Sequence, residues 1–216
     1  MYMPKLIRKD VKKLSIMVHV LMFIIGITFG SFYTLAVYRI PLKQDITHTH
    51  SYCPKCNHRL GFLDLIPVLS YICLGGKCRY CKDKIRPRYL VLELLSGTVF
   101  LLYSIFLNID LLNIEAVKIV NLAFGVCFFS TVFITVGIFN EYKSVQKSVF
   151  NFGIIVEAIY IVYLYILNRS IYRYIIYVIA LLFMVMVNNS KAKEKLKIIA
   201  FLLFILIGIL EICLTI

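Results

Sequence analysis

Tryptophan is absent from this 216-residue chain, and aspartate does not occur after Asp110. The first absence leaves tyrosine, with 15 copies, as the main amphipathic ring available at a membrane boundary. The second excludes a pair of aspartates from everything C-terminal to residue 110. Acidic residues are scarce, 11 against 24 Lys and Arg, for a formal net charge of +13. In a soluble chain that imbalance would point to nucleic acid. Here the cations gather between apolar blocks, so membrane topology accounts for them and no nucleic-acid partner is expected. No internal repeat or low-complexity segment is evident.

What remains is overwhelmingly apolar: 61% hydrophobic residues and a mean hydropathy of +0.88. The apolar letters fall into blocks at 14–38, 90–107, 117–139, 149–167, 171–187 and 198–216. Each approaches the length that crosses a bilayer as a helix. The first block follows the basic start "MPKLIRKDVKK" and is too long, with no small-residue cleavage site, for a signal peptide. The reading is an all-α polytopic membrane protein of about six transmembrane helices. It divides into a basic tail and first helix at 1–38, a polar loop at 39–88 and about five further helices at 89–216. Tyr160, Tyr163, Tyr165, Tyr172, Tyr174 and Tyr177 bracket the turn "LNRSIYR" and are expected to form an interfacial belt.

Loop charge sets the orientation. The loop from Arg39 to Arg88 holds ten Lys or Arg, "NIDLLNIEA" none, "NEYKSVQKS" two, "NRSIYR" two and "NNSKAKEKLK" four. The excess places the 39–88 loop in the cytoplasm, although the five basic residues of the N-terminal tail would then lie outside.

That loop carries the sharpest local signal, Cys53-Pro-Lys-Cys56 and Cys78-Arg-Tyr-Cys81. Four thiolates at this spacing can close a tetrahedral shell around Zn²⁺, leaving no open position and so marking a structural site. Two disulfides or idle thiols are the alternative, and a reducing cytosol disfavours the first. A loop of about fifty residues rich in charge, Pro and Gly buries little core, so metal binding would supply its folding energy. Cys73, Cys127 and Cys213 sit in apolar surroundings and read as small packing residues, while His48, His50 and His58 read as solvated. The apolar stretch 65–74 is too short to cross a bilayer, and Asp64 ahead of it is expected in water.

The runs "GSFYTLAVYRIP", "CPKC", "LDLIPVLSY", "GGKCRYC" and "IRPRYLVLELLSG" together resemble the N-terminal half of the prepilin leader peptidase/N-methyltransferase family, over about residues 26 to 100. On that resemblance the family pattern falls on Gly30, Ser31, Phe32, Tyr38, Arg39, Pro41, Pro67, Arg88 and Glu93, with Glu93 in a helix that re-enters the membrane. The resemblance implies a multi-pass protein of the bacterial inner membrane. Its substrate would be a type IV prepilin or a pseudopilin of secretion or competence systems, its zinc structural, and S-adenosylmethionine the methyl donor in members that methylate.

The family cuts with two aspartates at the cytoplasmic ends of later spans. Here "GIFNEYKSVQKSV" places Phe139 at the first, with Gln146 and Lys147 at the accompanying Pro-Asp, and "SKAKEKL" places Lys193 at the second. No catalytic residue is therefore assigned. An acid and base pair needs two neighbouring carboxylates, and lysines cannot supply it. Glu141, Glu157 and Glu194 remain as substitutes. Glu93 is expected to pair with Arg86 or Arg88, Glu157 to pack on a polar partner or meet substrate, and Glu211 to snorkel toward water.

Three readings follow: a peptidase-defective or accessory member that binds a pilin or pairs with an active paralogue, a divergent peptidase using glutamates, and an unrelated membrane-anchored zinc module. No Gly-rich methyltransferase loop is present, and the basic loop is better suited to anionic membrane lipid than to a basic leader.

Overall fold

The computed structural model describes residues 5–109, 115–168, 171–190 and 192–214. Asp110 and residues 169 and 170 of the tyrosine-flanked turn lie outside them, as does the side chain of Tyr172. The chain is helical: α1 (Lys5–Arg39), α2 (Leu69–Cys73), α3 (Arg88–Phe106), α4 (Ala116–Tyr142), α5 (Lys147–Asn168), α6 (Ile171–Asn189) and α7 (Glu194–Leu214), with a 3-10 turn at Phe62–Asp64 ahead of α2. Five helices, α1, α3, α4, α5 and α7, are long and apolar enough to cross a membrane, and α6 contributes a shorter apolar run, Tyr174–Asn189. Helix is the expected form, because backbone N–H and C=O groups in lipid must be satisfied within the segment. No strand occurs among the described residues beyond two isolated bridges.

The helices group into two compact units, Met1–Ile114 and Glu115–Ile216. In the first, α1 packs along α3. Small residues permit the approach: a Cβ on Gly26 would lie 2.8 Å from Gly97 Cα, and one on Gly30 would lie 2.6 Å from Glu93 Cα. The spacing "GITFG" is a small-xxx-small seam, the arrangement that replaces hydrophobic driving force between helices in lipid. Deeper along the seam His19 Nδ1 meets Ser104 Oγ at 2.9 Å.

The second unit packs α4, α5, α6 and α7. Its core is aromatic, with Phe128, Phe150, Phe201 and Phe204 in mutual ring contact at 5.2 to 6.0 Å. Polar pairs pin the register: Tyr160 donates to Asn121 Oδ1 at 3.0 Å, and the Asn188 amide to Asn151 Oδ1 at 2.7 Å. The expected tyrosine belt is therefore only partial. Tyr160, Tyr174 and Tyr177 are buried between helices, and the Tyr174 hydroxyl donates to the Leu164 carbonyl at 2.9 Å.

Candidate metal centre and carboxylate sites

Two knuckles of one design build the loop. In the first, the Cys53 N–H donates to the His58 carbonyl at 3.0 Å and the Asn57 N–H to the Cys53 carbonyl at 2.8 Å, with Asn57 at φ 55°. The second repeats it: Cys78 N–H to the Asp83 carbonyl at 2.9 Å, Lys82 N–H to the Cys78 carbonyl at 3.1 Å, and Lys82 at φ 60°. A left-handed residue one position after each second cysteine reverses the chain, and an antiparallel bridge closes each turn, Tyr52 with Arg59 and Lys77 with Lys84.

The four sulfurs of Cys53, Cys56, Cys78 and Cys81 lie within 4.8 Å of one another, with Cys53 Sγ and Cys81 Sγ 3.8 Å apart. A tetrahedron with metal–sulfur bonds of about 2.3 Å has an edge of about 3.8 Å, so the cage has the dimensions of a Cys₄ zinc site. Backbone N–H groups of Cys81 and Tyr80 pull the Cys78 thiol down to about 7 against the opposing effect of burial. Cys81 accepts the Asp83 N–H, which favours its thiolate, yet burial and the three neighbouring sulfurs push it up to about 12. Negative charge crowded this closely is what a divalent cation relieves.

Two side-chain contacts brace the cage. His58 and Tyr80, from opposite knuckles, meet ring to ring in a tilted arrangement with centroids 3.5 Å apart. Arg79 Nε donates to Asp64 Oδ1 at 2.6 Å, and Asp64 also accepts the Gly61 N–H. Asp64 is thus not the solvated residue expected from sequence but a tie between the second knuckle and the turn ahead of α2. Burial opposes its ionisation, and the Arg79 guanidinium and Gly61 N–H outweigh that, holding its carboxyl below the ordinary range.

The family-pattern residues gather where the loop meets the helices. Arg39, 2% exposed at the end of α1, donates from Nη1 to the Asp45 carbonyl (2.8 Å), the Thr49 carbonyl (3.0 Å) and Thr49 Oγ1 (2.6 Å), and from Nη2 to the His50 carbonyl (3.0 Å). Glu93 accepts the Val68 N–H at 2.7 Å, and the Ser31 hydroxyl hydrogen-bonds its carboxylate. Those partners replace the expected Arg86 or Arg88. The Glu93 bond also holds Val68 at φ 63°, a conformation a β-branched residue rarely adopts, just after Pro67. Gly30 gives α3 its close approach, while Tyr38, Pro41 and Arg88 are half-buried and Phe32 is exposed. Cys73 and Cys213 are exposed rather than packed, and Cys127 is half-buried.

In the second unit the two segments that the resemblance aligned with the family's aspartates come together. The Val145 N–H, in the turn after α4, donates to Glu194 Oε2 at 3.2 Å at the start of α7, and the Asn188 amide reaches the Lys147 carbonyl at 3.2 Å. Lys197 takes the other Glu194 oxygen at 2.8 Å. Glu141 lies exposed at the end of α4, and Lys143 stands over the Phe139 ring. Glu157 and Glu211 lie elsewhere, fully buried within α5 and α7, and their four oxygens have no hydrogen-bond partner among the described residues. Glu211 does not snorkel. Sequence reasoning missed the Gly26 seam and the paired asparagines; the small-xxx-small spacing of "GITFG" was the available signal for the first.

Residues 24–107 match the family model described as Bacterial Peptidase A24 N-terminal domain. The prepilin leader peptidase/N-methyltransferase of Myxococcus xanthus (strain DK1622) is 41% identical over 81 residues, 38% of this chain and 24% of that protein. That of Vibrio cholerae serotype O1 (strain ATCC 39315 / El Tor Inaba N16961) is 39% identical over 83 residues, 35% of this chain and 33% of that protein. That of Bacillus subtilis (strain 168) is 37% identical over 102 residues, 47% of this chain and 41% of that protein. The match thus spans about a quarter to two-fifths of the length of these relatives. No solved structure matches the chain.

Proposed function

We propose, from the match of residues 24–107 to the Bacterial Peptidase A24 N-terminal domain and their likeness to prepilin leader peptidases/N-methyltransferases, that this chain serves prepilin or pseudopilin processing without making the cut itself. It holds a substrate or an active paralogue at the inner membrane, with its cysteine loop in the cytoplasm. The observation that carries this reading is the chemistry at the junction of the turn after α4 with the start of α7. The segments aligned by resemblance with the family's aspartates carry Phe139, Lys147 and Lys193 instead, and the carboxylate of Glu194 is committed to Lys197 and the Val145 N–H. Peptide hydrolysis by carboxylates needs one acid to donate while its neighbour activates water. A carboxylate held by a lysine beside further cations supports positioning rather than proton shuttling.

In this reading Cys53, Cys56, Cys78 and Cys81 hold Zn²⁺ as a structural ion, which supplies folding energy to the loop and leaves no position for substrate. Arg39 and Glu93 anchor that loop to α1 and α3. S-adenosylmethionine rests on the family resemblance alone, and no residue is assigned to it.

One observation favours a second reading, a peptidase built on glutamates: Glu157 and Glu211 are both fully buried in this unit with no hydrogen-bond partner for their carboxyl oxygens among the described residues. Both are sealed from water in the described unit, which weighs against hydrolysis there. The test is expression with a matched prepilin in cells lacking every other leader peptidase, following pilin mass. Full-length pilin is expected to accumulate. A shortened pilin that disappears in Glu141→Gln or Glu157→Gln would replace the accessory reading with the glutamate one.

A further inference from the structure

The loop carries an apolar face that neither the cysteine cage nor the helices use. Leu69, Ile72 and Cys73 of α2 stand at i, i+3 and i+4 and are all exposed, Leu69 to 60% and Ile72 to 63%. Just ahead, Phe62 and Leu63 are 83% and 64% exposed. Single apolar residues on a surface are ordinary, whereas a contiguous run of large ones marks a surface that meets something.

The bond between Val68 and Glu93 fixes the level at which this face sits. Glu93 lies five residues inside α3, which is about 7.5 Å along the axis at 1.5 Å per residue. With 19 residues, α3 is just long enough to fill a hydrocarbon core of about 30 Å, so its second turn is already beneath the headgroups. Val68, bonded to Glu93 at 2.7 Å, therefore starts α2 at the boundary between headgroups and acyl chains. A five-residue helix cannot cross from there and must lie along the interface.

The same segment carries the matching charge. Tyr71, Gly76, Lys77, Lys84 and Arg86 line a cleft of about 350 Å³ behind α2. Lys77 and Lys84 are paired across their antiparallel bridge, both exposed, and neither has a carboxylate partner among the described residues. Gly75 and Gly76, at φ 60° and 66°, turn the chain directly from the apolar face to these lysines.

We infer that residues 62–86 form an interfacial wedge selective for anionic phospholipid. Phe62, Leu63, Leu69 and Ile72 enter the acyl boundary, and Lys77 and Lys84 stand at the plane of the phosphates. The occupant of the face is the bilayer that holds the chain, because Glu93 ties α2 to the depth of a spanning helix and the neighbouring charge is of the sign anionic headgroups attract. The inference rests on the membrane-spanning fold and not on whether the chain cleaves a leader.

The missing tryptophan supplies the test, since Ile72→Trp introduces the protein's sole indole. The full chain, with its zinc content verified, is reconstituted in phosphatidylcholine vesicles of increasing phosphatidylglycerol content, with plain or brominated acyl chains. Indole emission in brominated lipid is expected to be at least halved relative to plain lipid, with quenching that deepens as phosphatidylglycerol is added. Lys77→Gln with Lys84→Gln, in the same background, should remove that added quenching while leaving zinc content unchanged. Water-like emission, unquenched in either lipid, would overturn the wedge. Quenching indifferent to phosphatidylglycerol and to the lysines would overturn the selectivity, and quenching relieved by a synthetic pilin-leader peptide would assign the face to a protein partner instead.

Discussion

Replacing Arg39 tests whether one buried cation organises the start of the loop. Its guanidinium makes four hydrogen bonds, to the carbonyls of Asp45, Thr49 and His50 and to the Thr49 hydroxyl, at 2.6 to 3.0 Å. Arg39→Lys preserves the charge, but a single ammonium on a flexible stem cannot reproduce a planar fork that reaches acceptors on three residues. A hydrogen bond to a charged group contributes about 1.5–3 kcal/mol, and a buried carbonyl left without a partner costs about 1–3 kcal/mol. If lysine keeps about half of the contacts, the segment loses about 3 kcal/mol, or about a hundredfold in its opening equilibrium. Arg39→Ala, which keeps none, should cost about 5 kcal/mol. Hydrogen exchange on the full zinc-loaded chain reads this directly. The amides of Thr47 and His48, which donate to the Asp45 carboxylate within this segment, should lose about a hundredfold in protection in Arg39→Lys, and those of α4 to α7 should not change. Unchanged protection at Thr47 and His48 in both variants would refute the role given to Arg39. Uniform loss along the chain would refute its being local.

Other expectations follow from the same geometry. Cys53→Ser with Cys78→Ser leaves two sulfurs, which do not retain a structural metal, so elemental analysis should fall from about one zinc per chain to background. Gly30→Leu must push α3 away from α1, because even a Cβ would stand 2.6 Å from Glu93 Cα. The overpacking should cost at least about 1–3 kcal/mol and lower the thermal midpoint. Gly61→Ala, whose nearest contact is 3.6 Å, should leave that midpoint unchanged. Asp64, held below its ordinary carboxyl value, contributes stability that is fully present above about pH 4 and is lost as pH falls through its folded value. Zinc release from the wild type should therefore be slower than from Asp64→Asn at neutral pH, with the two rates converging in acid; a constant difference down to pH 2 would contradict the Arg79 pairing.

Much of this molecule is written in one dimension. Lipid leaves a backbone few options, so apolar blocks of spanning length dictate helices wherever they occur; each block became a helix, with α1 starting earlier than expected, at Lys5, and the other five starting within about four residues of the expected position. The paired Cys-x-x-Cys turns were equally legible, because each knuckle is closed by local hydrogen bonds between residues no more than nine apart. Contacts between distant segments were not. Asp64 looked solvated because nothing nearby in sequence neutralises it, and only the fold brings Arg79 to it across fifteen positions. Glu93 looked like a partner for the arginines preceding α3, but the seam at Gly26 and Gly30 sets α1 against α3, and the chain's return from Pro67 delivers the Val68 N–H first. Glu211, near the C-terminal end of its apolar block, was expected to reach water. The packing of α7 buries it completely instead, because a side chain's access to solvent depends on its helix neighbours rather than on its distance from the end of the segment.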